Sequence, residues 1–160
     1  MPNWCEGSLK VRGKLENVKK FFLEGLKCYE YNYKNFSQTI SEDAIELKED
    51  SEDEVWIKIN KIAHISGTRR AFVENTDVDF YPNEKGIATA AVNMKQAWFM
   101  CAEEFLEIAK KYNVDMRLYG FECGGRFNQE IIIENGEIVK DVEIKFDDYI
   151  WECPMTYLGG

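Results

Sequence analysis

Two adjacent arginines, Arg69 and Arg70, lie shortly after the single histidine of the chain, His64. Guanidinium groups carry paired N–H donors that match the oxygens of phosphate or carboxylate. Between the histidine and the arginines, Gly67 lets backbone N–H groups approach an anion, and Thr68 adds a hydroxyl. The segment therefore predicts a site for an anion. The alternative is that both arginines pair with carboxylates of this acidic chain.

A second candidate lies at Glu122 and Cys123, directly before Gly124 and Gly125. A thiol beside free backbone N–H groups is the arrangement with which an acyl-transfer enzyme holds an oxyanion. A buried cysteine at the end of a strand is the more frequent reason for such a sequence, so we predict no catalytic residue here. If the fold brings this strand end close to His64, we expect Glu122 to join the anion site.

Two carboxylates, Asp77 and Asp79, alternate with Val78 and Phe80 and so lie on the same face of a predicted strand. Such a pair can share a divalent cation. Because antiparallel sheets commonly expose one polar face, solvent exposure is the more frequent reason for such a pair. The glycine patterns of nucleotide-binding loops are missing from the sequence. We therefore predict no metal site and no cofactor.

The charge of the chain favours some partners over others. Its 160 residues include 20 lysines and arginines against 29 acidic residues, which gives a net charge of −9. This charge opposes non-specific attraction to nucleic acid and to anionic lipid. The segment Glu42 to Glu54 holds eight acidic residues and one basic residue, Lys48. A protein partner with a basic surface fits this composition, whereas nucleic acid does not.

The sequence also indicates where the protein resides. Its start lacks a basic region followed by an apolar stretch, and no apolar run has the length of a membrane span, which predicts a cytoplasmic protein. The five cysteines are odd in number and no two have C-x-x-C spacing. We therefore expect free thiols rather than disulfides or a zinc ribbon. The length and the 45% hydrophobic content predict a single folded domain over residues 1–160.

Apolar residues at helical spacing predict two amphipathic helices, over residues 15–26 and 98–112. Alternating patterns predict hairpins of residues 45–47 with 55–59, 71–81 with 87–92, and 127–134 with 137–146. In the last hairpin, Asn135-Gly136 suits a tight turn. The C-terminal tail, residues 148–160, has no periodicity, but its aromatic residues predict that it docks on the domain.

These elements predict an α+β fold, and part of the sequence resembles a known family. The opening segment Met1 to Cys5 and the segment Leu9 to Gly13 resemble the start of the YubB-like ferredoxin-fold family, whose uncharacterised members are carried on plasmids and phages. Further residues in the order of that family are Trp98, Tyr112, Tyr119, Glu122, Gly124 and Phe127. The resemblance leaves out residues 29–74. It implies a ferredoxin-like, mainly antiparallel sheet with two helices on one face, and a mobile-element setting, but no activity.

Two functions agree with these observations. The favoured one is a non-enzymatic accessory protein of a mobile element, which binds a host protein with a basic surface through its acidic surface. The alternative is a binder of a small anionic ligand, either a nucleotide or a phosphorylated metabolite, or an enzyme acting on one. That site is centred on Arg69, Arg70 and His64, with Thr68 and Glu122 as further candidate ligands. The sequence does not indicate an oligomeric state.

Overall fold

Antiparallel strands dominate the computed structural model, which describes residues 2–160. Strand accounts for 51% of the chain and helix for 18%. No helix within residues 2–160 has the length and apolar character needed to cross a bilayer. The strands are β1 (Trp4–Lys14), β2 (Leu26–Asn32), β3 (Ser37–Ile40), β4 (Ile45–Asp50), β5 (Val55–Ile59), β6 (Ala63–Ile65), β7 (Ala71–Val73), β8 (Thr76–Phe80), β9 (Ile87–Ala97), β10 (Asp115–Glu122), β11 (Phe127–Glu134) and β12 (Glu137–Lys145). The helices are α1 (Leu15–Glu24), α2 (Ala102–Tyr112) and α3 (Tyr149–Glu152), and a 3₁₀ turn lies at Glu42–Ala44.

The strands form two antiparallel sheets. The large sheet has nine strands in the order β12-β11-β10-β1-β9-β7-β6-β2-β3, and the small sheet has three in the order β4-β5-β8. Strand β1 pairs with β9 along one side and with β10 along the other. Helix α2 connects β9 to β10. Because β1 lies between these two strands in the sheet, α2 passes across β1.

The expected ferredoxin-like fold, with two helices on one face of a single sheet, is wrong. The chain builds nine strands into one sheet and three into another, so the structure is mostly β. The difference arises in residues 26–80, which supply seven strands. Strands β6 and β7 have three residues each, too few for an alternating pattern to show in the sequence.

The predicted hairpins have mixed outcomes. Pairing of β4 with β5 and of β11 with β12 is confirmed. At the second of these turns, Asn135 and Gly136 have φ values of 52° and 74°, the positive values that the tight turn needs. The predicted strand 71–81 is divided instead, because β7 joins the large sheet and β8 the small one. The expected pairing with residues 87–92 is wrong: β7 pairs with residues 94–96 of β9, β8 pairs with β5, and an isolated bridge joins Pro82 to Ala88.

The core lies between one face of the large sheet, the helices α1 and α2, and the small sheet. Helix α1 buries Val18 and Phe22 of its predicted apolar stripe, together with Phe21. The ring of Phe21 packs edge-on against Tyr112 of α2, with ring centres 5.7 Å apart. The ring of Phe22 lies 5.9 Å from Phe80 of β8, so α1 joins the two sheets.

The opposite face of the large sheet, which we call the open face, is covered at one end by the C-terminal residues 147–160. Tyr149 and Cys153 of this segment are 3% and 5% exposed, and they pack against Phe121 of β10. Trp151, which we also expected to dock, is 86% exposed. Tyr149 and Cys153 therefore pack on the sheet, the backbone of Gly160 pairs with Trp4 of β1, and the largest ring of the segment lies in solvent.

Candidate functional site: an arginine–aromatic cluster

The chain turns sharply at Trp98, between β9 and α2. Trp98 has a φ of 68°, in the left-handed region, which costs a residue other than glycine about 1–2 kcal/mol. Its N–H donates to the carbonyl of Asn3 at 2.8 Å, and its indole ring is 47% exposed. The predicted helix start at Trp98 is therefore wrong, since α2 begins at Ala102. Backbone strain of this kind clusters at functional sites, and here it displays a large aromatic ring.

Both predicted arginines reach Trp98 from the turn between β6 and β7. The guanidinium carbon of Arg69 lies 5.1 Å from the ring centre of Trp98 and 5.0 Å from that of Phe99. The guanidinium carbon of Arg70 lies 5.6 Å from the ring centre of Trp4 and 5.9 Å from that of Trp98. Each distance is within the range of a cation–π interaction. We call these five residues the arginine–aromatic cluster.

Neither arginine of the cluster is neutralised by a carboxylate. Among residues 2–160, the ion pairs of arginine involve Arg12 and Arg117 but not Arg69 or Arg70. One N–H group of Arg69 donates to the carbonyl of Ala97 at 3.0 Å, which orients its guanidinium. Both arginines are exposed. The alternative expected from the sequence, pairing of both arginines with carboxylates, is not found.

Thr68 and His64 support the turn that carries the arginines. The Thr68 hydroxyl donates to the carbonyl of Ile65 at 2.6 Å and accepts from the N–H of Ala71 at 3.2 Å. Thr68 is 7% exposed, so its hydroxyl is occupied by the turn rather than directed at a ligand. His64 places Nε2 3.0 Å from the carbonyl oxygen of Thr68, and its ring lies half-buried on the open face.

A row of aromatic rings leads away from the cluster across the open face. The ring centres of Trp4 and Phe72 are 6.0 Å apart, and those of Phe72 and His64 are 5.4 Å apart. The ring of Tyr29 follows at 6.3 Å from His64. We call these four residues the aromatic row. Trp4 belongs to both the row and the cluster, so the two form one surface.

Two buried glutamines hold the backbone of residues 98–101. Gln129 of β11 accepts from the N–H of Met100 at 2.9 Å and donates to its carbonyl at 2.8 Å. Gln96 of β9 accepts from the N–H of Cys101 at 3.0 Å. These bonds satisfy backbone groups that have no strand or helix partner. They also hold the segment in the conformation that places the rings of residues 98 and 99 beside the arginines.

Glu122, predicted to join the anion site, instead accepts hydrogen bonds from the backbone that follows it. It is 2% exposed, and its carboxylate accepts from the N–H of Gly124 at 3.1 Å and from the N–H of Gly125. No hydrogen bond or ion pair within residues 2–160 joins Glu122 to the cluster. The hypothesis for Cys123 needs the same two N–H groups to be free, so no oxyanion site forms here. Burial, together with the charge of Glu122, raises the pKa of the Cys5 thiol to about 12.

The predicted carboxylate pair, Asp77 and Asp79, lies on β8 of the small sheet. Each carboxylate accepts a hydrogen bond from an aromatic side chain. Asp77 accepts from the indole N–H of Trp56 at 3.1 Å. The hydroxyl of Tyr81 lies 3.1 Å from carboxylate oxygens of both Glu54 and Asp79, and these hydrogen bonds raise its pKa to about 12. In the part of the chain that the structure describes, no three His, Cys, Asp or Glu side chains are grouped as a metal site requires.

Sequence reasoning missed three of the five cluster residues, Trp4, Trp98 and Phe99. The apolar spacing of residues 98–112 predicts that Trp98 belongs to the core-facing stripe of a helix. No pattern in the sequence separates the rings at 98 and 99 from core residues, because adjacent aromatic residues of a helix can both be buried, as Phe21 and Phe22 of α1 are. In the structure Trp98 and Phe99 are exposed, at 47% and 44%.

No protein-family model, curated protein or solved structure matches this chain. The resemblance to the YubB-like family therefore stays a prediction. Two of the residues that carry it, Trp4 and Trp98, both contact Arg70 in the structure. The function is therefore inferred from the chemistry of the cluster.

Proposed function

We propose that this protein binds a nucleotide, or a similar anion with a planar ring, at the arginine–aromatic cluster. The observation that carries the proposal is the pair of exposed guanidiniums, Arg69 and Arg70, which flank the strained Trp98 and have no carboxylate partner among the described residues. Adjacent like charges repel each other, and a chain with 29 acidic residues has ample means to neutralise them. A bound anion supplies the missing countercharge.

The cluster offers a different contact to each part of such a ligand. Guanidinium groups bind phosphate oxygens through paired N–H donors. The exposed rings of Trp98 and Phe99 offer planar surfaces on which a base can stack. Both kinds of contact lie within 6 Å of each other, so one nucleotide can make both. This combination favours a nucleotide over a phosphorylated metabolite that lacks a ring.

Titration with AMP and ATP tests the proposal. We expect both to quench tryptophan fluorescence and to raise the melting temperature, because a ligand at one hundred times its dissociation constant adds about 2.7 kcal/mol of stability. Adenosine keeps only the contacts of the base with the rings, and inorganic phosphate keeps only those with the guanidinium groups. Both are therefore expected to bind more weakly. Failure of both nucleotides to shift either signal at millimolar concentration would refute the proposal.

Paired arginine variants locate the site. The double variant Arg69→Gln with Arg70→Gln removes the positive charge and is expected to weaken nucleotide binding at least tenfold, since hydrogen bonds to charged groups contribute about 1.5–3 kcal/mol. Arg117→Gln is the matched control, because Arg117 lies on the same open face but pairs with Glu130 at 3.5 Å. Equal losses in the two proteins would place binding outside the cluster.

A second candidate function is binding of a basic host protein through the acidic surface, as a mobile-element accessory protein does. The 3₁₀ turn and the β4–β5 hairpin supply the observation that favours it. Five exposed carboxylates there have no ion-pair partner among residues 2–160. They are Glu42, Asp43, Glu49, Glu52 and Asp53. Such a field steers a positively charged partner, and its effect falls with added salt.

Neutralising this surface tests the second function. The triple variant Glu49→Gln, Glu52→Gln and Asp53→Asn is compared with wild type for retention of host proteins on the immobilised protein at increasing ionic strength. We expect a basic protein that is retained by wild type at low salt and lost from the variant. Retention that changes neither with ionic strength nor with the substitutions would contradict this function. The nucleotide titrations are expected to be the same for the triple variant and for wild type.

A further inference from the structure

Resting on the nucleotide-binding function above, we propose that the aromatic row extends the cluster into a path for a short single-stranded nucleic acid. Phosphates lie at the arginines, and successive bases lie on the rings of the row. The four rings belong to four different strands of the large sheet. They are Trp4 of β1, Phe72 of β7, His64 of β6 and Tyr29 of β2. A mononucleotide needs one ring and one phosphate contact, so the row offers more than a mononucleotide uses.

The rings of the row are inclined to one another rather than stacked in parallel. Neighbouring ring centres are 5.4–6.3 Å apart, and their planes are inclined by 52–74°. Because the rings meet edge to face or tilted, they do not cover each other's faces by parallel stacking. Stacking on aromatic rings is how single strands are bound without sequence preference, since every base has a π-face.

Charge along the row is positive, although the whole chain is acidic. Lys27, opposite His64 in the strand register, has no carboxylate partner among residues 2–160. Lys95, opposite Phe72, lies over the Trp4 ring at 5.5 Å and is paired with Glu74 at 3.3 Å. Along the row, the cations without a carboxylate partner in the described part of the chain are therefore Lys27 and the two arginines of the cluster.

The acidic residues that dominate the net charge lie elsewhere. The run of eight between residues 42 and 54 belongs to the 3₁₀ turn and the β4–β5 hairpin, which forms part of the small sheet. On the open face, the Glu6 carboxylate next to Trp4 accepts from the N–H of Gly159 at 3.2 Å. The sequence expectation against nucleic acid follows from total charge, whereas binding depends on the charge that the ligand meets.

Fluorescence anisotropy with labelled eight-nucleotide strands, (dT)8 and (rU)8, tests the inference. We expect the preferred strand to bind at least tenfold more tightly than the corresponding mononucleotide. Tyr29→Ala removes the ring farthest from the arginines, so it is expected to weaken the octamer about fivefold or more and to leave mononucleotide binding unchanged. Tyr157→Ala is the control, because Tyr157 is a 77% exposed tyrosine of the C-terminal segment. Tight binding of either octamer supports the path, and the ratio between them identifies the preferred sugar.

Salt dependence gives an independent measurement. Contacts of Lys27, Arg69 and Arg70 with three phosphates predict that log K, where K is the association constant, falls with log salt with a slope of about −2. Lys27→Gln is expected to make this slope less negative by about 0.7. Equal affinity for octamer and mononucleotide, no effect of Tyr29→Ala, or equal binding of an eight-base-pair duplex would overturn the path and leave the nucleotide site standing. Octamer binding that is insensitive to the double arginine variant would overturn the path, and mononucleotide binding that is also insensitive to it would overturn both proposals.

Discussion

The side-chain amide of Gln129 holds the backbone of Met100 by two hydrogen bonds, one to its N–H at 2.9 Å and one to its carbonyl at 2.8 Å. Met100 has neither a strand nor a helix neighbour for these groups, and it is 1% exposed. The amide therefore takes the place of a strand partner. It also fixes the residue that directly follows the two exposed rings of the cluster, so a buried side chain of β11 determines the geometry of the binding surface.

Gln129→Ala is expected to lower the free energy of unfolding by about 2 kcal/mol or more, because it leaves two buried backbone groups without partners. Urea denaturation measures this change. Gln38→Ala, at an exposed glutamine of β3, is the control and is expected to change stability by less than about 0.5 kcal/mol. If both variants unfold at the same urea concentration, the amide of Gln129 does not support the segment.

Substitutions at Trp98 are expected to separate stability from binding. Glycine adopts a φ of 68° without strain, whereas alanine does not, so Trp98→Gly should be about 1 kcal/mol more stable than Trp98→Ala. Both variants remove the indole and should weaken nucleotide binding to the same extent. Thermal unfolding and nucleotide titration of the two proteins make the comparison. A less stable glycine variant would mean that the left-handed conformation is not maintained in solution.

Tyr149 is expected to contribute to the stability of the protein in a pH-dependent way. Burial, followed by a hydrogen bond with Cys153, raises the pKa of Tyr149 above the usual value of about 10. A group with a raised native pKa contributes stability that is fully present below its unfolded pKa and is lost as the pH rises above it. The stability of wild type should therefore fall more steeply above about pH 10 than that of Tyr149→Phe.

Below pH 10, Tyr149→Phe should cost about 1–3 kcal/mol, because the hydroxyl donates to the buried amide oxygen of Asn128 at 2.9 Å. Urea denaturation at pH 7, 9 and 10.5 gives both quantities. The difference between the two proteins should shrink at the highest pH. A difference that stays constant across this range would show that Tyr149 does not resist ionisation in the native state.

The two aromatic residues of the short helix α3 are expected to differ in their effect on stability. Tyr149→Ala removes a ring that is 3% exposed and should cost about 3–5 kcal/mol, as buried aromatic truncations do. Trp151→Ala removes a larger ring that is 86% exposed and should change the melting temperature little. Equal destabilisation by the two substitutions would contradict the way the C-terminal segment is placed on the sheet.

Thiol alkylation is expected to distinguish the cysteines. Cys101 and Cys123 are partly exposed, whereas Cys5, Cys28 and Cys153 are buried. The thiolate is the reactive form, and burial both shields the Cys5 thiol and raises its pKa to about 12, so native Cys5 should react slowly at pH 8. Mass spectrometry after timed iodoacetamide treatment should show two early modifications, with all five in urea as the control. Early modification of Cys5 would contradict its burial.

Elements with long apolar periodicity could be predicted from the sequence. The stripe of α1 and the Asn135-Gly136 hairpin turn agree with the structure, because each depends on residues close together in the chain. The ferredoxin-like fold was wrong because the pairing of β6 and β7 depends on three-residue strands joined by a turn that Thr68 holds. Such a turn is stabilised by side-chain contacts that no repeating pattern reveals.

The candidate site was predicted in part. Arg69 and Arg70 were chosen because guanidinium groups after a glycine suit an anion, and the structure exposes both. Thr68 was assigned to the ligand but holds the turn, and Glu122 holds a different turn. The rings of Trp4 and Trp98 could not be predicted as partners of the arginines, because they arrive through long-range strand pairing. Spacing along the chain carries no information about such neighbours.

The cluster assembles from three distant stretches of the chain, residues 4, 69–70 and 98–99. They meet only after β1 and β7 have each paired with β9. Contacts between residues far apart in sequence form late and slowly in folding, so the ligand has no site on the unfolded chain or on an isolated hairpin. The amount of ligand bound should therefore measure the fraction of natively folded molecules in a mixed sample. By mass action, the ligand should also recover part of the folded population of destabilised variants whose cluster is unchanged.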